Sequence, residues 1–259
     1  MAVAVVTAVT LVAGCASSAT ESAPTTSGSA SSPGVTGDVT VFAAASLQST
    51  FTELGDQFKK DNPGTDVTFS FAGSSDLVTQ LTQGAPADVF ASADEKNMAK
   101  ATDAGLVAGP AVNFASNTLT IVTMPGNPKG IASFADLAKP GIQVVVCAQQ
   151  VPCGSATEKV EQATGVKLAP VSEETAVTDV LGKITSGQAD AGLVYVTDAA
   201  GAGDKVTSVP FPESGGAVNT YPIALLKGAK NTAAAQKFID LVTGPEGRKV
   251  LSAAGFAAP

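Results

Sequence analysis

The stretch that most constrains the fold is Val39-Thr40-Val41-Phe42-Ala43-Ala44-Ala45-Ser46-Leu47, an alternating apolar run that breaks at Ser46 and passes directly into a helical pattern. Leu47, Phe51, Leu54 and Phe58 follow at spacings of three and four, so they share one helix face, and Asn62-Pro63-Gly64 stops that helix. This is a strand feeding a helix, with Ser46 expected at the N-cap. A serine there either caps its own helix or presents its hydroxyl, beside the first free backbone N–H groups, to an anion beyond the strand end. The residues alone leave both open.

The construction is repeated. Val67, Phe69 and Phe71 alternate in a strand ending at Ala72-Gly73-Ser74-Ser75, and Leu77, Val78 and Leu81 mark a helix that ends at Gly84. Ala87 to Ala91 forms a third strand, and Asp94 caps a helix running through Met98 to Ala104. Strands alternating with helices imply a parallel sheet covered on both faces, whose ligands bind beyond the carboxyl ends of the strands. Ser46 and Ser74 could then face one ligand.

A strand over Thr118 to Met124, closed by Pro125-Gly126-Asn127-Pro128, is where the chain is expected to cross into a second lobe. That lobe would hold a helical turn at Phe134 to Lys139, a strand at Ile142 to Cys147, and helices at Ser155 to Ala163 and Glu174 to Thr185. Val177, Val180, Leu181 and Ile184 share a face of the second helix, and Gln188 to Tyr195 returns as a strand. Beyond Val206 to Phe211, the strand Tyr221 to Leu226 and the helices Thr232 to Thr243 and Pro245 to Ala254 are assigned back to the first lobe, with Pro245 in a first helical turn. The pattern by itself supports a two-lobed α/β protein.

The 259 residues carry 15 basic and 23 acidic side chains, a net charge of −8 with no basic run, which argues against nucleic acid or an anionic membrane surface as partner. Histidine is absent, so a serine triad has no base and a zinc site lacks its commonest ligand. Neither G-x-S-x-G, S-x-x-K nor a P-loop occurs. Glu173-Glu174 reads as solvated charge at a helix N-terminus rather than as a glycosidase pair. The chain is expected not to be an enzyme.

Residues 1–14 read as the apolar region of a signal peptide, too short to span a bilayer. Leu11-Val12-Ala13-Gly14-Cys15 resembles a bacterial lipobox, which makes Cys15 the lipidated residue, although no Lys or Arg precedes the run. Residues 16–37 are mostly Ser, Thr, Ala, Pro and Gly and are expected to form, behind Cys15, a disordered tether (15–37) reaching on the order of 25 Å.

Val41-Phe42-Ala43-Ala44-Ala45-Ser46-Leu47, Phe71-Ala72-Gly73-Ser74-Ser75 and Gly84-Ala85-Pro86-Ala87-Asp88-Val89-Phe90 resemble successive landmarks of the molybdate-binding proteins of bacterial ABC importers. Val151-Pro152-Cys153-Gly154, Gly192-Leu193-Val194-Tyr195 and Tyr221-Pro222-Ile223-Ala224 match the same family in the same order. The resemblance implies the two-lobed type II periplasmic-binding-protein fold, each lobe a mostly parallel sheet flanked by helices, with 38–117 plus 219–259 as lobe I and 118–218 as lobe II. It implies a lipoprotein on the outer face of the cell membrane that captures molybdate or tungstate and hands it to ABC permease subunits. Sulfate or phosphate binding on the same fold is the alternative. Five positions carry over as ligand-binding: Ser46 and Ser74 through hydroxyls and helix N-terminal amides, Cys153 and Val177 through backbone N–H, and Tyr195 through its phenol. No cofactor and no metal beyond the oxyanion is expected, and the protein is expected to be a monomer. With Cys15 given to the lipid, Cys147 and Cys153 are expected to pair in an exported protein; two reduced buried thiols are the alternative.

Overall fold

The computed structural model describes residues 1–2 and 35–259. The expected signal peptide from residue 3 onward, Cys15 and the expected tether as far as residue 34 therefore lie outside the described residues, while Thr36 and Gly37 are tied to the body. The Asn231 amide donates to the Thr36 carbonyl, and the Gly37 N–H donates to the Gly64 carbonyl at 3.0 Å.

The opening run forms β1 (Val39–Ala44), and a single 3₁₀ turn at Ala45–Leu47 joins it to α1 (Gln48–Asp61). The second unit is β2 (Val67–Ala72) and α2 (Ser74–Thr82), and the third is β3 (Val89–Ala91) and α3 (Glu95–Asp103), which the Asp94 side chain caps by accepting the Asn97 N–H. The chain continues through β4 (Val112–Asn117), β5 (Leu119–Thr123), β6 (Val144–Cys147), α4 (Pro152–Thr164), β7 (Ser172–Glu174) and α5 (Val177–Thr185). It ends with β8 (Ala191–Tyr195), α6 (Val196–Ala202), β9 (Thr207–Val209), β10 (Asn219–Leu225), α7 (Thr232–Thr243) and α8 (Pro245–Ala253).

Two five-stranded sheets result, ordered β2-β1-β3-β10-β4 and β7-β6-β8-β5-β9. In each, four strands point one way and one is reversed: β10 in the first sheet and β5 in the second. Each reversed strand is the first that the chain lays down after leaving the other sheet, so the two lobes repeat one topology. Only Thr118 separates β4 from β5, and the return runs from Val209 to Asn219.

Each sheet has its own core. Beneath the first, the Phe51, Phe58, Phe114 and Phe238 rings gather with neighbouring centroids 5.6–5.9 Å apart, and Tyr221 joins them edge-on at Phe114, 6.3 Å away, while packing on Phe256 at 5.4 Å. Aromatic pairs at such spacing stabilise by about 0.5–1.5 kcal/mol beyond their burial. Asp88, from the Ala-Pro-Ala-Asp landmark, is structural: its buried carboxylate accepts the N–H groups of Thr40 and Lys230, both at 2.7 Å.

Four local expectations change. β4 was not anticipated, because Asn113, Ser116 and Asn117 interrupt its apolar signal. Glu173-Glu174 belongs to the edge strand β7, paired with β6, and not to a helix N-terminus; α5 consequently starts at Val177 rather than Glu174. α4 starts at Pro152 rather than Ser155, since a proline at the first helical position loses no hydrogen bond. The short α6 follows Tyr195 without any apolar periodicity to announce it.

Candidate functional site

The repeated topology points several helix starts at one place. In α2 the Asp76 and Leu77 N–H groups both go to the Gly73 carbonyl, so the Ser74 and Ser75 amides have no acceptor within the helix. In α5 the Asp179 and Val180 N–H groups go to Ala176, leaving the amides of Val177 and Thr178. In α4 the Ser155 N–H goes to Val151 and Pro152 has no N–H, which leaves the amides of Cys153 and Gly154. Ser46 lies in the 3₁₀ turn that begins at Ala45.

These ends surround a small cavity of about 10 Å³, room for a single small species. Ser46, Ser74, Cys153, Val177 and Tyr195 all line it, together with Ala44, Ala45, Gly73, Ala93, Val151 and Pro152. Its lining contains no charged side chain. Unpaired amides and positive helix ends make such a cavity attractive to an anion without any cation.

Neither serine caps its own helix, which corrects the expected N-cap role of Ser46. The Ser46 Oγ is instead 3.1 Å from the Tyr221 hydroxyl, and the Ser74 Oγ accepts the Ala93 N–H at 3.0 Å. Tyr195 Oη accepts from Asn219 Nδ2 at 2.9 Å. Burial pushes the Tyr195 and Tyr221 phenols above the usual tyrosine range, so both hydroxyls keep their protons.

The lobes meet around the cavity. Asn219 Nδ2 also donates to the Ala93 carbonyl at 2.8 Å and lies 3.3 Å from the Pro152 carbonyl, and Asn97 Nδ2 reaches the Gln150 carbonyl at 3.3 Å. Two carboxyls stand just behind this lining. Asp198 accepts the Tyr195 N–H at 3.0 Å; burial pushes it up to about 7 against the lowering effect of that bond. Asp94 is likewise raised by burial, against its bonds from Asn97.

The sulfurs of Cys147 and Cys153 are joined, with α-carbons 5.6 Å apart, so the first turn of α4 is linked to the end of β6. Gly154 is required beside it, because a β-carbon there would come within 2.0 Å of the Ala148 carbonyl oxygen.

Ala93, Asn219 and Tyr221 were not among the site residues expected from sequence. Tyr221 stands in a quoted landmark, yet nothing in the pattern gave it a partner. Asn219 precedes the apolar alternation, and Ala93 acts through its backbone.

The family profile described as "Bacterial extracellular solute-binding protein" matches residues 39–257. The molybdate-binding protein ModA of Mycobacterium tuberculosis is 60% identical over 221 residues, covering 85% of each chain. That of Escherichia coli K12 is 33% identical over 234 residues, covering 85% of this chain and 89% of its own. Among solved structures, the periplasmic molybdate-binding protein of Azotobacter vinelandii superposes with a TM-score of 0.74 at 25% identity, covering 85% of this chain and 99% of its own. The chain belongs to the bacterial extracellular solute-binding proteins and, within them, to the ModA family. It is a two-lobed binding protein of a transporter and not an enzyme, and binding in this family needs no cofactor.

Proposed function

We propose that the protein captures molybdate, and tungstate with it, between lobe I (38–117 plus 219–259) and lobe II (118–218) and delivers the anion to an ABC permease. In this reading Cys15 carries a lipid, residues 16–37 tether the domain to the outer face of the cell membrane, and the Cys147–Cys153 bridge persists in the exported monomer. The observation that carries the proposal is the convergence of Ser46, Ser74, Cys153, Val177 and Tyr195, from both sheets, on one cavity lined by neutral donors alone. The names of the ModA relatives support the choice of anion.

Three hydroxyls and the amides of Cys153 and Val177 can bond a tetrahedral dianion on all sides. Hydrogen bonds to a charged group contribute roughly 1.5–3 kcal/mol each, which makes a submicromolar site attainable without an ion pair. Calorimetric titration with molybdate, tungstate, sulfate and phosphate tests the reading. Tight, comparable binding of the first two supports it; sulfate or phosphate binding on equal terms replaces it with a general oxyanion carrier.

A further inference from the structure

A hydroxyl can donate or accept, and the direction it is forced to take decides which anions it serves. Asn219, the first residue of β10, is 5% exposed. Its amide cannot be turned over, because the Ala93 carbonyl 2.8 Å away only accepts and the atom facing it must be the nitrogen. One Nδ2 hydrogen serves Ala93, and the other points at Tyr195 Oη, 2.9 Å away. Tyr195 Oη is thereby an acceptor from Asn219, and its single hydrogen is left to be donated, with the cavity and the neighbouring Tyr221 hydroxyl as the acceptors in reach. Ala93 does the same for Ser74, since its N–H donates to Ser74 Oγ and frees that hydroxyl's hydrogen. Ser46, paired with the Tyr221 hydroxyl, has no direction imposed on it, because either oxygen can be the donor.

We propose that Asn219 is a positioning residue that determines specificity: by donating to Tyr195 Oη it leaves that hydroxyl to act as a donor, for which a bound dianion is a stronger acceptor than the Tyr221 hydroxyl, so the site favours tetrahedral oxyanions that carry no proton over those that carry one. This rests on the oxyanion-binding function proposed above. An anion such as hydrogenphosphate must place its own O–H against an acceptor, and at Tyr195 it meets a second donor hydrogen instead, leaving a bond unmade. Without Asn219 the Tyr195 hydroxyl can rotate and accept.

The test is a double-substitution cycle on the exported protein, with molybdate titrated calorimetrically and phosphate measured by competition. Asn219→Ala is expected to weaken molybdate binding about tenfold to a hundredfold, but by about threefold or less in a Tyr195→Phe background. The preference for molybdate over phosphate should narrow by about tenfold in Asn219→Ala. Equal losses in both backgrounds with an unchanged preference would overturn the proposal and leave Asn219 as a clasp on Ala93 and Pro152. Should Asn219→Ala not fold, Asn219→Ser, too short to span both acceptors, goes through the same cycle with the same two outcomes. Absence of any oxyanion binding by the unsubstituted protein overturns the function itself, before a variant is made.

Discussion

Gly73 lies against the Thr175 carbonyl across the seam between the lobes, so tightly that a β-carbon built on it would stand 1.9 Å from that oxygen. Gly73 has φ −59° and ψ 139°, which any residue adopts, so only this contact between lobes demands glycine. Gly73→Ala should therefore fold normally yet fail to close. Solution scattering with saturating molybdate is expected to show a more extended particle than the unsubstituted protein, with affinity reduced about tenfold or more. Unchanged closure and affinity would show that the seam yields at Thr175.

The two serines are separable from their helices, because neither caps its own. Ser46→Ala and Ser74→Ala should each weaken anion binding about tenfold to a hundredfold by removing a donor; Ser74→Ala also leaves the buried Ala93 N–H without its acceptor, so it should lower the melting temperature of the ligand-free protein more than Ser46→Ala does. A large drop in that temperature with intact affinity would make the hydroxyls structural.

The link between Cys147 and Cys153 holds the start of α4, where Cys153 lines the cavity and its amide has no acceptor within the helix. Reduction, or Cys147→Ser, is expected to weaken binding by loosening that donor before the ligand arrives. Titration before and after reduction reads this directly, and equal affinities would show that α4 is held by its packing alone.

Asp198 gives the protein a pH dependence of definite sign. Its carboxyl is held up to about 7 from an ordinary 3.8, so between those values the folded chain keeps a proton that the unfolded chain releases. The contribution to stability is full below about pH 4 and is lost as pH rises through 7. Asp94, also raised by burial, acts in the same direction. Asp198→Asn should flatten the fall in melting temperature between pH 4 and 8, while the wild type should bind a dianion less tightly above pH 7, where Asp198 is ionised. A melting profile for Asp198→Asn that parallels the wild type would rule this out.

Selectivity among dianions should follow size. Sulfate carries the charge of molybdate on a smaller tetrahedron, and donors fixed on two closed lobes cannot all reach it. Two forfeited bonds amount to about a hundredfold or more, whereas tungstate, nearly equal in size to molybdate, should bind within a few-fold of it. Competition titrations at one pH measure both ratios.

The parts of the fold that were legible in the sequence are those whose burial is periodic. The alternation of β1, the spacing of Leu47, Phe51, Leu54 and Phe58, and the run Thr232 to Thr243 all reappear where the pattern put them. β7 was illegible because Ser172-Glu173-Glu174 is an edge strand with solvent access, and no alternation marks it. Of the five positions expected to bind the ligand, Ser46 and Ser74 were marked by the repeated strand-to-helix pattern as well as by resemblance, and Cys153, Val177 and Tyr195 by resemblance alone; all five line one cavity. Asn219 could not have been found, since its role depends on Ala93 and Tyr195, more than a hundred residues and 24 residues away in sequence, which only the folded chain brings to it.

The lining without a countercharge bears on how cargo leaves. A carboxylate or phosphate gripped by arginine must have an ion pair pulled apart before it can go, and water repays that separation poorly. In the proposed site every grip would be a peptide or hydroxyl hydrogen, for which water is a near-equal substitute. Parting the lobes admits solvent, and the anion can exchange its donors one at a time for waters. Tight retention and ready unloading then depend on a single variable, the width of the seam at Gly73 and Thr175.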